Sequence, residues 1–261
     1  ELGLLEKPVK KEKVARPSRL ENAPVVAQPT DVEPAYRSLV AKDNTFSFSK
    51  LITYERCPWQ YRYSYVLKVP ARPSHAAVFG QTMHQTLQTF FHLMGERSSK
   101  AQATLFAPAE KKSGAKKNPL VTWDELSDLY DKNFREEWYP SRRLLEQYRD
   151  EGRKALKLFY DAHDGQFQPT HALEKDFRIH LEPYRLSGRI DRIDRIGGTD
   201  AKPEVEIVDY KTGKPQDKLA TDDRYQLMIY YAAASDPDVL NLDVKRLTYQ
   251  YLNDNSSQSS E

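Results

Sequence analysis

Ile207-Val208-Asp209-Tyr210-Lys211-Thr212-Gly213 (207–213) joins a β-branched run to a turn, and its reading decides the rest of the chain. In a strand, residues two apart share a face, so Asp209 and Lys211 point one way while Val208 and Tyr210 point the other. A lone charge on a buried strand face is costly, but two of opposite sign tolerate it if they act together or hold a metal. The same pair could also sit on a solvent face as a weak surface ion pair. The flanking sequence weighs between these. Upstream, Gly188-Arg189-Ile190-Asp191 carries another carboxylate, and Gly197-Gly198 with the polar run to Pro203 separates the two stretches as an antiparallel hairpin requires. Carboxylates converging from adjacent strands are what a hard, oxygen-seeking Mg²⁺ requires. A lysine beside them can orient an attacking water. Asp191, Asp209 and Lys211 together have the parts of a hydrolytic unit.

Working outward, the texture from residue 170 onward is that of strands: LEKDFRIHL, YRLSGRIDRIDRI and PEVEIVDYKTG, then a helix over 223–234 and a closing strand LDVKRLTYQYLN. Before them the pattern is helical. Ser49 can cap a short helix carrying Leu51 and Ile52, and Pro58 suits the first turn of another. Apolar residues at helical spacing (Phe79, Met83, Leu87, Phe90, Phe91, Met94) predict a helix over 76–94, with two more over 123–138 and 142–163. Residues 96–120 break all periodicity and read as a flexible insertion, and 1–44, punctuated by prolines, as a linker. The expected fold is α/β, a mixed β-sheet core flanked by helices with an N-terminal helical part, occupying 45–261.

Composition sets bounds rather than a function. At 261 residues, 39% hydrophobic and 30% charged, the chain can hold one large domain. No apolar run approaches the roughly 20 residues that span a bilayer, and no secretory signal opens the chain, so the reading is cytoplasmic with no membrane partner. The net charge of +2 is too small to argue for nucleic acid by itself. The single cysteine, Cys57, excludes an intramolecular disulfide framework. No P-loop motif is present, so the chain is not itself a nucleotide-driven motor. Its proline-rich start without an initiator Met reads as a domain excised from something longer.

Two more pairs share helical spacing: Gly80 with His84, where the small residue leaves room beside an imidazole, and Gln226 with Tyr230. A lone His on an apolar-striped helix is more often a packed core residue than a ligand. The order FSFSKLITYERCPWQYRY, FGQTMH, GRIDRID, IVDYKTGK, YQLMIYY over 46–252 resembles the RecB-like branch of the PD-(D/E)XK nucleases, in particular the nuclease domain attached C-terminally to some bacterial UvrD-like superfamily 1 helicases.

That resemblance implies a restriction-endonuclease-like fold and Mg²⁺- or Mn²⁺-dependent hydrolysis of DNA, on single-stranded or unwound ends delivered by a superfamily 1 helicase domain of the same longer chain, in repair or recombination. It implies Asp191 and Asp209 as metal-binding acids, Lys211 as catalytic lysine, and His84 and the Tyr210 carbonyl as further metal ligands. Gln226 and Tyr230 correspond to a motif that helps hold DNA. Asp194 is expected to face away from the site. Some relatives carry an iron–sulfur cluster on one early and three late cysteines; Cys57 stands at the early position without the others, so no cluster is expected. Phosphate contacts are expected from Arg189, Arg192, Arg195, Lys214 and Lys218, and base stacking from Tyr54, Trp59 and Tyr61, which could equally pack inside. Gln102-Ala103-Thr104-Leu105-Phe106 resembles a peptide that docks on the bacterial sliding clamp, or is a small hydrophobic contact. The rival readings are a nuclease-dead DNA-binding or docking module that retains the fold, and a free-standing RecB-like exonuclease.

Overall fold

The chain is described here from a computed structural model, over residues 44–105, 119–167, 170–215 and 219–260. The expected linker, apart from Asn44, lies outside the described residues, as do Phe106 and Lys218 and the side chains of 101–105. A short strand β1 (Thr45–Phe46) leads into α1 (Phe48–Arg56), α2 (Pro58–Tyr61) and a π-helical turn, Arg62–Val66. The cap of α1 is Ser47 rather than Ser49: the Ser47 hydroxyl accepts from the Lys50 N–H at 3.3 Å, while Ser49 already lies within the helix. Pro58 opens α2, where its missing N–H costs nothing.

Three long helices follow, and two end elsewhere than expected. α3 (His75–Leu105) runs past residue 94 into the stretch read as an insertion. Apart from Gly95, residues 95–105 contain no strong helix breaker. Arg97 on this added length donates to the Leu120 carbonyl at 2.7 Å and grips both Glu125 carboxylate oxygens, at 2.6 and 2.9 Å. α4 (Trp123–Asn133) begins with a capping box of Thr122 and Glu125. It stops before residue 138 because Phe134 turns extended (ψ 119°) and lays its ring against Tyr130 and Tyr139 and beneath the Arg149 guanidinium. α5 (Arg142–Ala162) is capped by Ser141. Gly152 on α5 admits close approach: a Cβ there would overlap the Tyr130 hydroxyl and come within 2.9 Å of the Phe79 ring.

The sheet comprises β1, β2 (Thr170–Leu181), β3 (Tyr184–Gly198), β4 (Pro203–Lys211), β5 (Asp243–Tyr251) and β6 (Ser256–Ser260). β2–β3 and β3–β4 are antiparallel, and Gly198, at φ +75°, closes the latter turn. From β4 the chain crosses through α6 (Thr221–Ser235) to β5, which pairs with β4 in parallel. β6 pairs antiparallel with β5. Its sequence, SSQSS, carries no apolar alternation, so its strand character comes from the partner's hydrogen bonds.

Helices cover both faces of the sheet. On one, α3, α4 and α5 bury Met83, Leu87, Phe90, Leu126 and Phe159 with Val208 and Tyr210 of β4. On the other, Leu227, Tyr230 and Ala233 of α6 pack on Ile190, Ile193, Val205, Ile207 and Tyr249. The mixed sheet flanked by helices is the restriction-endonuclease-like arrangement expected, and it aims the alternate residues of β4 at different helices.

Two consequences are measurable. Gly152→Ala is expected to cost about 1–3 kcal/mol, because fully buried Tyr130 has nowhere to move; the urea midpoint falls with the slope unchanged. The Arg97 guanidinium, then the Thr122 N–H, hold the Glu125 carboxyl down at about 2 from an ordinary value of 4.5. A depressed carboxyl pKa adds stability that is complete above the ordinary value and lost as pH falls through it towards 2. Glu125→Ala is therefore expected to cost about 1–2 kcal/mol at neutral pH, for a cap and a partly exposed ion pair. Melting curves of the two proteins should converge as the pH is lowered across that window.

Candidate active site

β4 pairs with β3 only as far as Arg192↔Val208, and β1 touches the same edge of β3 only at Arg185 and Leu186. Asp191 stands where β3 and β4 part. Its Oδ2 accepts from the Tyr210 N–H at 3.1 Å, replacing the carbonyl that a continued ladder would have offered. The same oxygen lies 3.2 Å from Nδ1 of His84, which reaches across from α3, and Nε2 of that ring lies 3.0 Å from the Tyr210 carbonyl. Burial alone would push the His84 pKa down, but the hydrogen bond and charge of Asp191, with Asp209 and Glu174 beyond, raise it above its ordinary value. Gly80, one turn earlier, meets only the Thr212 hydroxyl, at a Cβ distance of 3.7 Å, so the helix lies against the end of β4 without a clash.

On the opposite face of β4, Asp209 is 3% exposed. Its Oδ1 accepts from the Tyr230 hydroxyl at 3.1 Å and from Gln226 Nε2 at 3.2 Å, both on α6. Its Oδ2 lies 2.8 Å from Lys211 Nζ, which also donates to Gln226 Oε1 at 3.1 Å and sits 4.3 Å above the Tyr249 ring. Gln226 thus presents its amide to the carboxylate and its carbonyl to the ammonium. Burial, then the charge of Asp191, raises the Asp209 pKa, and Lys211 opposes them. Burial also raises the pKa of Tyr230, so its hydroxyl stays a donor.

Sequence reasoning missed Glu174. Extending the β2–β3 register by one step from Lys175↔Ile190 sets it opposite Asp191. The two-residue turn at 182–183 carried that register, so counting along the hairpin could have found it. Glu174 adopts φ +46°, unusual for a residue with a side chain and a mark of local strain. Burial and then Asp191 raise its pKa. Ligand atoms of His84, Glu174 and Asp191 all lie within 4.8 Å of one another. Two carboxylates and an imidazole at that spacing suit a divalent cation. Asp209 is outside this trio, though its buried Oδ2 receives no hydrogen bond, only the Lys211 ion pair. His84 and Glu174 also line an open cleft of about 620 Å³ with Gly80, Gln81, Arg135 and Arg189.

The structure thus gathers Asp191, Asp209, Lys211, His84, Tyr210, Gln226 and Tyr230. The polar groups of Gln226 and Tyr230 are engaged with Asp209 and Lys211, and Tyr230 is buried. Arg189 reaches the cleft but is held by Asp176 at 2.7 Å. Arg192 is not placed as expected for a phosphate contact. It is buried between the Phe91 and Tyr210 rings, donating to the Tyr210 hydroxyl at 2.6 Å and paired with Asp194 at 3.0 Å. Asp194 therefore turns away from Asp191, as its spacing predicts. Arg195 folds back on Asp200 and the hairpin carbonyls. Tyr54 lies outside the cluster, exposed on α1. Cys57 is half-buried where α1 meets α2.

Residues 45–261 match the family model of the PD-(D/E)XK nuclease superfamily, and the chain belongs to that superfamily. It is similar to an ATP-dependent helicase/deoxyribonuclease subunit of Carboxydothermus hydrogenoformans, with 27% identity over 209 residues that cover 74% of this chain and 18% of that protein. The Gene 69 protein of Mycobacterium phage L5 shares 24% identity over 212 residues, covering 72% of this chain and 70% of the phage protein. The chain thus spans less than a fifth of the first relative's length. No helix among the described residues is long and apolar enough to cross a membrane.

Tyr230→Phe removes one donor from a buried carboxylate and is expected to cost about 1–3 kcal/mol in urea unfolding. Gln226→Ala, touching the same oxygen, should combine with it non-additively; additive losses would show that the two do not share Asp209.

Proposed function

We propose that this nuclease hydrolyses DNA phosphodiesters with Mg²⁺ or Mn²⁺, using Asp191, Asp209 and Lys211 as its centre. The observation that supports this reading is the trio of His84, Glu174 and Asp191, whose ligand atoms lie within 4.8 Å of one another, next to the Asp209–Lys211 pair at the end of β4. Asp191, His84 and Glu174 would hold the ion, with Asp209 and the Tyr210 carbonyl beside them as further donors. A divalent ion there supplies Lewis acidity and positive charge beside a phosphate. Lys211, fixed between Asp209 and Gln226, presents its ammonium to orient the attacking water. Gln226 and Tyr230 hold Asp209 in its rotamer. Arg135 and Arg189 bring positive charge to the cleft for the phosphate backbone. None of these groups reads a base edge, which favours cleavage without sequence preference.

The name of the first relative couples a helicase with a deoxyribonuclease. This supports a role as the nuclease part of a helicase–nuclease in repair or recombination, receiving single-stranded or unwound ends from a superfamily 1 helicase domain of the same longer chain. The Gln102–Phe106 peptide adds no support for a sliding clamp, since its side chains lie outside the described residues.

End-labelled single- and double-stranded DNA and RNA, incubated with Mg²⁺, Mn²⁺ or EDTA, test the activity. Products are expected from DNA only, and only with metal. Asp209→Ala and Lys211→Ala should each lower the rate about 100-fold or more. Cleavage by Asp209→Ala at the wild-type rate would refute the assignment. Metal binding is checked without turnover. Excess Mn²⁺ should raise the melting temperature of the wild type, leave Asp191→Ala unmoved and raise Glu174→Gln less.

A further inference from the structure

Three groups hold the Lys211 ammonium. Asp209 Oδ2 lies 2.8 Å from Nζ, Gln226 Oε1 accepts from it at 3.1 Å, and the centroid of the Tyr249 ring lies 4.3 Å away. The first two have other duties. Asp209 is a candidate donor to a divalent ion, and a carboxylate shared with such an ion attracts an ammonium less strongly. Gln226 divides its amide between Asp209 and Lys211. The Tyr249 ring face offers no ligand atom, so its hold on the ammonium does not compete with an ion.

Tyr249 is also firmly placed. It stands on β5 in register with Asp209 of β4, so its side chain leaves the sheet on the face that carries Asp209 and Lys211. It has no exposed surface. Its hydroxyl lies 2.8 Å from the Asp223 carbonyl and 3.1 Å from Gln226 Oε1, both on α6, and its one proton goes to either. Burial raises the pKa of that hydroxyl, which therefore remains a donor. The hydroxyl bond and the packing of the ring account for a core tyrosine, but neither calls for a cation over the ring face. The attraction between an ammonium and an aromatic face grows where water is excluded. The Lys211 side chain is only 26% exposed, so much of its surface is turned to protein.

We propose that Tyr249 is a positioning residue for hydrolysis: its ring face seats the Lys211 ammonium, and keeps it seated when Asp209 is shared with an ion. This rests on the reading of Lys211 as the group that orients the attacking water, and adds what orients Lys211. A misplacement of about 1 Å in such a group is enough to slow a reaction substantially. The ring thus acts on the rate through Lys211 and touches neither the metal ligands His84, Glu174 and Asp191 nor the open cleft that His84 and Glu174 line.

Tyr249→Leu would hollow a packed core, so a graded series is the better test. Position 249 is filled with Phe and then with phenylalanines carrying one, two and three ring fluorines, which drain charge from the ring face with little change of size. The rate at saturating DNA and Mn²⁺ is expected to fall stepwise, about tenfold across the series. The melting temperature, and Mn²⁺ affinity read by electron paramagnetic resonance without DNA, should stay level. Without metal or DNA, the NMR signal of the Lys211 Cε protons should start upfield, over the ring, and move towards that of free lysine with each fluorine. A rate that stays level, or falls only in step with Mn²⁺ affinity or melting temperature, would overturn the proposal. So would a Lys211 signal indifferent to the fluorines, whether or not DNA is cut. A wild type that cuts nothing, with a Lys211 signal that still follows the fluorines, would sink the nuclease reading and leave the seat in place.

Discussion

Asp191 fills a gap in a β-sheet, and the arrangement of the site depends on it. Where β3 and β4 part, the Tyr210 N–H would face no acceptor, and an unpaired buried amide costs about as much as a lost hydrogen bond. The Asp191 carboxylate takes that place and so has a structural position before any chemistry is asked of it. Its other neighbours then follow. His84 arrives from α3 and Glu174 from β2, and the Tyr210 backbone gives its N–H to Asp191 and its carbonyl to His84. Three elements meet on a single carboxylate.

The period of a strand does the remaining sorting. Val208 and Tyr210 enter the core beneath α3–α5, whereas Asp209 and Lys211 emerge towards α6. Both helical layers reach the same end of β4, α3 through His84 and α6 through Gln226. A carboxylate as buried as Asp209 is stable there because Tyr230, Gln226 and Lys211 each give it a donor or a charge. Arg192 and Tyr210 form a matching polar contact on the other face, pinning the ring of the residue whose backbone serves the site. Orienting hydrogen bonds thus flank β4 on both sides, the kind of rigid support that a hydrolytic centre needs.

Much of this was legible from residue order. Alternation along 205–211, helical spacing over 79–94 and the Gly197-Gly198 turn each report a local period, and local periods survive in a sequence without its fold. The ends of α3 and α4 did not. The first depends on Arg97 finding Glu125 across a segment boundary, the second on Phe134 preferring a ring cluster to another helical turn. β6 was invisible for the same reason, since its pairing belongs to β5. Arg192 looked like a phosphate contact because sequence shows its charge but not the rings that enclose it.

The sequence by itself determined the class of fold, the alternation that puts Asp209 and Lys211 on one face, and the residue types able to hold a divalent ion. Those follow from covalent spacing. Only the tertiary structure decided that Asp191 would bridge the parting of two strands, that Glu174 would face it, and that Gln226 and Tyr230 would turn inward to Asp209. Contacts between segments far apart in the chain are set by packing and by the cost of leaving buried polar groups unpaired, which no single segment records.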